Sequence, residues 1–148
     1  LLKWREKNLP IIHVRHSSTN LDSKLHESNP GFEFNNHVTP LDDEIVLTKN
    51  VNSAFIGTGL KSILNESKTE IIIIVGMTTN HCISTTTRMS GNLGFDTYLV
   101  SDSTACYNTK AINGEIIDCE VIYETSLASI NEEFATVINS NELMNLID

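Results

Sequence analysis

One cysteine stands where an apolar segment gives way to a stretch with helical spacing, and this position suits a nucleophile. The apolar segment covers residues 71–75 and is followed by Gly76, while Cys82 directly precedes the helical stretch 83–92, which Gly94 would end. The unpaired N–H groups and partial positive charge at the start of a helix favour a thiolate over a thiol. In open α/β sheets, ligands also bind beyond the carboxyl ends of the strands. The sequence therefore predicts a reactive thiolate at Cys82.

A lysine earlier in the chain can supply the positive charge that such a thiolate needs. Lys49 directly follows residues 44–48, which alternate in the manner of a short strand. An ammonium group close to the sulfur would lower the pKa of the Cys82 thiol and stabilise negative charge developing on a carbonyl substrate. Structural roles remain open for both residues, because Cys82 can be a small core residue and Lys49 a solvated lysine at a strand end.

The segments that must position these two residues alternate between strand and helix patterns. The apolar runs predict strands, and the wider spacing predicts helices, of which the last is short and capped by Ser140. This alternation predicts an α/β fold with a doubly wound, Rossmann-like, mostly parallel sheet and helices on both faces. The β-branched strand 71–75 is expected to be buried on both faces. The strands are expected at 11–14, 44–48, 71–75, 97–100 and 135–138, and the helices at 2–7, 53–65, 83–92, 115–130 and after 140.

Composition and charge limit the class of protein and its partners. A chain of 148 residues with 40% hydrophobic and 20% charged residues is typical of one ordinary globular domain. The net charge of −9 argues against nucleic acid or an anionic membrane as partner, so a small-molecule substrate is expected. No apolar run approaches the roughly 20 residues needed to cross a bilayer, and no signal peptide is recognised, so we expect a cytoplasmic protein.

The remaining cysteines and the histidines do not indicate a disulfide framework or a metal site. Cys106 and Cys119, like Cys82, lack C-x-x-C spacing and are expected to be thiols in a reducing compartment, with structural roles. The possible metal ligands are scattered over a strand and a long loop rather than set at short, fixed intervals. We therefore predict no metal, and the absence of G-x-G-x-x-G and Walker motifs predicts no nucleotide cofactor. The scattered ligands are His13, His16, Asp22, His26 and His37.

Several residues near the predicted strand ends are candidates for binding substrate. Arg15 and His16 follow the strand 11–14, and residues 17–40 form a polar segment long enough to be a functional loop, which contains Phe32 and Phe34. Hydrogen bonding of Arg15 and His16 to loop backbone, and anchoring of the loop by the two phenylalanines, are equally open. Thr79 and His81 flank the nucleophile in sequence, although His81 can face either the pocket or solvent.

Two segments together resemble the isochorismatase-like cysteine hydrolase superfamily. They are Lys-x-x-x-Ser-Ala-Phe from Lys49 to Phe55 and Gly-x-x-Thr-x-x-Cys from Gly76 to Cys82, followed by Leu-Gly-Phe-Asp at 93–96. The resemblance implies a catalytic triad of aspartate, lysine and cysteine, with Lys49 and Cys82 in the last two roles. It also implies an oxyanion hole built from the backbone N–H groups of Thr78 and Cys82, and a cis peptide bond between Met77 and Thr78.

The aspartate of that triad has no match in the sequence. In the family it lies on the first strand, in an Asp-x-Gln context, and the role is not transferred to Asp22, Asp42 or Asp43. We therefore expect residues 1–148 to be an N-terminally truncated domain whose natural chain begins earlier. Because the absent strand lies in the middle of the family's sheet, its loss would leave neighbouring edges unpaired. The resemblance further implies a homo-oligomer.

The resemblance implies cofactor-independent hydrolysis of a C–N bond in a small amide, carbamoyl compound or lactam, through a thioester acyl-enzyme. Two alternatives remain open. One is isochorismatase-type hydrolysis of a vinyl ether, which does not need the nucleophile. The other is a catalytically silent binding or assembly module with the same fold. The nicotinamidases of this superfamily carry a metal site of an Asp-x-His motif and a further histidine near the strand that corresponds to residues 11–14, and the matching segment from His13 to His16 lacks the aspartate.

Overall fold

The computed structural model describes residues 1–147, and its contacts divide the chain into two compact units that meet in sequence at Ser62 and Ile63. In the first unit, helix α1 (Leu2–Glu6) precedes strand β1 (Ile12–His16) and strand β2 (Ile45–Lys49). The two strands pair in parallel, with a register that sets His16 opposite Lys49. The long loop between them contains two short 3-10 turns, at Pro30–Phe32 and Asn36–Val38.

A half-buried carboxylate ties the first unit together. Glu44 accepts hydrogen bonds from Arg5 Nε at 2.7 Å and Nη2 at 2.8 Å, from the Leu41 N–H at 2.8 Å, and lies 2.7 Å from His13 Nε2. These donors, led by the Arg5 guanidinium, hold the pKa of the Glu44 carboxyl well below its usual range. Helix α1, strand β1 and the start of strand β2 are therefore linked through one side chain, which sets the position of the strand ends.

The second unit is built on a parallel three-stranded sheet. Its strands lie in the order β3, β4, β7, and a small antiparallel hairpin of β5 and β6 follows β4. Helix α2 crosses the boundary between the units. The strands are β3 (Ile71–Met77), β4 (Asp96–Ala105), β5 (Thr109–Lys110), β6 (Ile116–Ile117) and β7 (Thr136–Ile138), and the helices are α2 (Leu60–Glu66), α3 (Ser84–Asn92), α4 (Cys119–Ala128) and α5 (Ser140–Ile147).

The core of the second unit lies between its sheet and the helices that follow β3 and the hairpin. Leu99 and Ile130 are fully buried there. Burial of such side chains provides most of the stabilisation of a small unit, at about 25 cal/mol per Å² of apolar surface. The cluster consists of Ile74, Ile83, Leu99, Leu127, Ile130 and Ala135, against which Ile72, Tyr123 and Val137 pack. The predicted α/β class with mostly parallel strands is confirmed.

Two predicted helices are too long. In residues 53–65 only Leu60–Glu66 is helical, because the Ser53 oxygens accept the N–H groups of Phe55 and Ile56 and hold a local turn. In residues 115–130 the helix begins only at Cys119, since the β-branched pair Ile116–Ile117 joins the hairpin.

The caps of the two last helices follow ordinary rules, although one predicted cap is wrong. Asp118 Oδ1 accepts from the Glu120 N–H at 2.8 Å and starts α4. The start of α5 is a reciprocal capping box in which Asn139 Oδ1 accepts from the Glu142 N–H at 2.9 Å and Glu142 Oε2 accepts from the Asn139 N–H at 2.8 Å. Ser140 lies inside that helix and instead donates from its hydroxyl to Asp102.

The prediction that strand 71–75 is buried on both faces is also wrong for the described residues. Ile74 is 8% exposed, but Ile71 is 56% and Val75 49% exposed. The sheet order explains the difference, because β3 is an edge strand of its three-stranded sheet. Within residues 1–147, no helix has both the length and the apolar character required to cross a membrane.

Candidate active site

The predicted nucleophile lies in a tight turn between a strand and a helix. Residues Thr79–Ile83 form one turn of π-helix between β3 and α3, and half-buried Cys82 is its fourth residue. The α-helix thus begins at Ser84, one residue later than predicted, and Cys82 lies within the turn that precedes it. Single π-helical turns occur frequently at functional sites. The half-buried sulfur is neither sealed in the core nor fully in water.

The peptide before this turn has the conformation that the resemblance implied. The Met77–Thr78 peptide bond is cis. The Thr78 carbonyl accepts from the N–H groups of His81 at 3.1 Å and Ile83 at 3.2 Å, which closes the turn. Thr78 itself is extended and half-buried, immediately after the carboxyl end of β3. Its place next to the turn agrees with the predicted oxyanion-hole position, which stays a prediction.

Thr79 is buried and bonded to the neighbouring strand. Its side chain is fully buried, and its hydroxyl lies 2.8 Å from the Thr104 hydroxyl of strand β4. A buried hydroxyl of this kind needs its hydrogen-bond partner, so the pair fixes the start of the turn to the sheet. The Thr79 hydroxyl is thus bonded to the sheet, and contact of Thr79 with substrate stays a prediction. Gly76 has a φ of 130°, a backbone conformation that residues with a side chain rarely adopt, so the end of the strand requires glycine.

Lys49 is buried in the first unit, not solvated. It is 4% exposed at the end of β2, and its Nζ donates to the Val51 carbonyl at 2.9 Å and lies 3.2 Å from His16 Nδ1. The strand ends around it are bound together, because the Ser17 N–H donates to the Lys49 carbonyl at 2.8 Å and the Asn50 amide donates to the Ser17 carbonyl at 2.8 Å. Lysine is rarely buried without partners, so this environment fits a specific role.

The surroundings of His16 shift the pKa of its imidazole. Burial lowers the pKa of its imidazole, and the charge of Lys49 lowers it further, while the Val51 carbonyl acts in the opposite direction. The contact between His16 and Lys49 follows from the parallel register of β1 and β2. The sequence predicted both residues as functional, but it did not predict that they touch.

Arg15 and His16 project to opposite sides of the strand pair. Arg15 Nε donates to Thr48 Oγ1 at 3.3 Å, whereas His16 contacts Lys49, and successive residues of a strand alternate between its faces. The Arg15 guanidinium stacks 4.0 Å from the Phe32 ring centroid and 5.6 Å from that of Phe34. These contacts fit the alternative in which the phenylalanines anchor the long loop. The structure thus joins His16, but not Arg15 or Phe32, to Lys49.

The other histidines and cysteines have ordinary partners. His13 bonds Glu44, and His26 Nδ1 lies 2.8 Å from the Ser28 hydroxyl. His81 is exposed, with Nε2 3.4 Å from the Asn80 amide nitrogen. Cys119 begins α4 and its N–H donates to Asn108 Oδ1 at 2.8 Å. The carbonyl of Val51, which the sequence analysis missed, joins the site as an acceptor from Lys49, and no signal in the sequence marks it.

Comparisons with known proteins agree in sequence and in backbone. The sequence model of the Isochorismatase domain matches residues 1–142. YrdC of Bacillus subtilis (strain 168), an uncharacterized isochorismatase family protein, is 46% identical over 142 residues, covering 96% of this chain and 76% of that protein. Nicotinamidase 3 of Arabidopsis thaliana is 31% identical over 101 residues, covering 68% of this chain and 45% of that protein.

The backbone of this chain is also similar to that of a solved structure. A crystal structure of a hydrolase of the isochorismatase family from Chromobacterium violaceum gives a TM-score of 0.93 at 33% identity, covering 97% of this chain and 75% of that chain. The match in sequence over residues 1–142, together with the same overall backbone fold, shows that this protein belongs to the isochorismatase family of hydrolases.

Proposed function

We propose that this protein is a cysteine hydrolase that cleaves a C–N bond of a small amide, carbamoyl or lactam substrate. The observation that carries the proposal is the half-buried Cys82 thiol in a π-helical turn between the carboxyl end of β3 and helix α3. Its place agrees with ligand binding beyond strand ends in α/β sheets. The similarity to Nicotinamidase 3, a protein named for amide hydrolysis, supports the choice of bond.

The proposed reaction proceeds in two steps. Cys82 gives up its thiol proton and the resulting thiolate attacks the carbonyl carbon. Collapse of the tetrahedral intermediate breaks the C–N bond while that proton passes to the leaving nitrogen, so that the neutral amine or ammonia departs. Water then attacks the thioester, which releases the acid and restores the thiol. The backbone N–H groups of Thr78 and Cys82 are the proposed donors to the oxyanion. No cofactor enters either step.

Lys49 is the proposed electrostatic partner of the thiolate. Its burial and its bonds to His16 and Val51 hold its ammonium group in one orientation. An oriented ammonium group can lower the pKa of a nearby thiol by one to about three units. Cys82 is thus the proposed nucleophile and Lys49 its proposed partner, and we propose that the protein acts on a small molecule as a homo-oligomer.

The test compares the unmodified protein with three variants, in each of which one cysteine is replaced by alanine. Ammonia release is measured over a panel of small amides, carbamoyl compounds and lactams, and intact mass is recorded during turnover to detect an acyl adduct. Cys82→Ala should abolish turnover and the adduct. Cys106→Ala and Cys119→Ala are matched controls, because both residues are half-buried thiols, and they should retain activity.

One further assay separates the vinyl ether alternative from the proposal. Isochorismate turnover by the Cys82→Ala protein would mean that the nucleophile is not needed and would overturn the proposal. Retention of amide turnover by the same variant would overturn it equally. If the unmodified protein is folded and binds these compounds, but turns over neither isochorismate nor any member of the amide panel, the silent binding module is favoured.

A further inference from the structure

The contact between His16 and Lys49 indicates which ring nitrogen of His16 carries the proton. An ammonium group has three N–H donors and no acceptor, so the His16 Nδ1 at 3.2 Å from Lys49 Nζ must be the acceptor. An imidazole whose Nδ1 accepts carries its single proton on Nε2 in the neutral form. The lowered pKa of His16, caused by burial and then by the Lys49 charge, agrees with this tautomer.

Lys49 depends on this acceptor because water has little access to it. Its side chain is 4% exposed, so each lost partner leaves a donor that solvent does not replace. An ammonium group that loses an acceptor in such a place turns toward another partner. This reorientation would change the direction of the field that Lys49 exerts on its surroundings.

We propose that His16 is a positioning residue whose unprotonated Nδ1 keeps the ammonium group of Lys49 oriented for the role proposed for this lysine above. The inference rests on the proposed function, since it gives Lys49 the role assigned there. It adds a third side chain to Cys82 and Lys49, one that acts through Lys49 and need not touch substrate. His16 is suited to this role because the register of β1 and β2 sets it directly opposite Lys49.

The test measures the thiolate itself and needs no substrate. The full chain is alkylated with iodoacetamide between pH 5 and 9, and peptide mass mapping separates Cys82 from Cys106 and Cys119. The pH midpoint of the Cys82 rate reports the pKa of its thiol. Lys49→Met should raise this midpoint and slow alkylation at pH 7 by about fivefold to tenfold, the lower end of the effect of a nearby opposite charge.

Two substitutions of His16 separate acceptor geometry from loss of the ring. In His16→Asn the amide oxygen can occupy the position of Nδ1, being the same number of bonds from the backbone, and the rate should stay within about twofold of the unmodified protein. In His16→Gln the acceptor is one bond further away, and the midpoint should rise toward that of Lys49→Met. Because both variants are polar and similar in size, both should fold, which circular dichroism checks. His37→Asn, at an exposed loop histidine, is the control.

Nitrogen NMR of the imidazole provides an independent measurement. The unmodified protein should show the Nε2–H tautomer of His16 at neutral pH, and Lys49→Met should raise the pKa of His16 because a lowering charge is removed. If Lys49→Met shifts Cys82 reactivity while His16→Gln behaves like the unmodified protein, the inference fails and the proposed function stands. If Lys49→Met has no effect, the role of Lys49 fails; if Cys82→Ala retains turnover, the proposed function fails.

Discussion

Replacing Gly91 by alanine tests how closely helix α3, which follows the Cys82 turn, packs against the backbone of Phe134. A Cβ built on Gly91 lies 2.5 Å from the Phe134 carbonyl oxygen, 3.1 Å from its Cα and 3.2 Å from its carbonyl carbon. All three are backbone atoms, so no rotamer change relieves the contact. Alanine in a helix interior normally stabilises by about 1 kcal/mol relative to glycine, whereas overpacking costs about 1–3 kcal/mol. With backbone as the obstacle, we take the upper value.

The expected net loss for Gly91→Ala is therefore about 2 kcal/mol, which raises the unfolded fraction up to about 30-fold. Urea unfolding followed by far-UV circular dichroism measures it, with the slope m checked for constancy. Asn92→Ala is the matched control, because Asn92 is the exposed neighbour in the same helix and its replacement should leave stability equal or slightly higher. A Gly91→Ala protein as stable as the unmodified one would refute the reasoning, since it would mean that the backbone near Phe134 moves freely.

Three further predictions concern the free energy of unfolding. The Glu44 carboxylate, held ionised by Arg5, stabilises the folded protein above about pH 4.3, the ordinary glutamate pKa, and loses this effect as the pH falls. Glu44→Gln should therefore lower the free energy of unfolding above that pH and make it depend less on pH in urea titrations from pH 3 to 7; unchanged pH dependence would contradict this. Thr79→Val should cost about 1 kcal/mol by breaking the bond to Thr104, with Thr79→Ser much nearer the unmodified protein; equal losses would implicate packing instead. Leu99→Ala, at a fully buried position, should cost about 2–5 kcal/mol by calorimetry or urea unfolding; a loss below 1 kcal/mol would mean that the core collapses around the cavity.

Local sequence determined the elements that depend on short-range rules. The isoleucine run of β3, the stop at Gly94 and the alternation of strands and helices were predictable because periodicity and glycine conformations act within a few residues. The Met77–Thr78 cis bond was predicted only through resemblance. Element ends were less predictable: Ile116–Ile117 was assigned to a helix, but it pairs with a partner strand that its own neighbours do not reveal.

Tertiary structure alone decided which candidate side chains meet. In sequence, Arg15 and His16 are adjacent and equally plausible as binding residues, yet strand alternation sends them to opposite faces, and the parallel register with β2 selects His16 as the partner of Lys49. Residue types and spacing thus determined the family and the candidate nucleophile. Pairings across 33 positions depend on the register between separate strands, which no local pattern encodes.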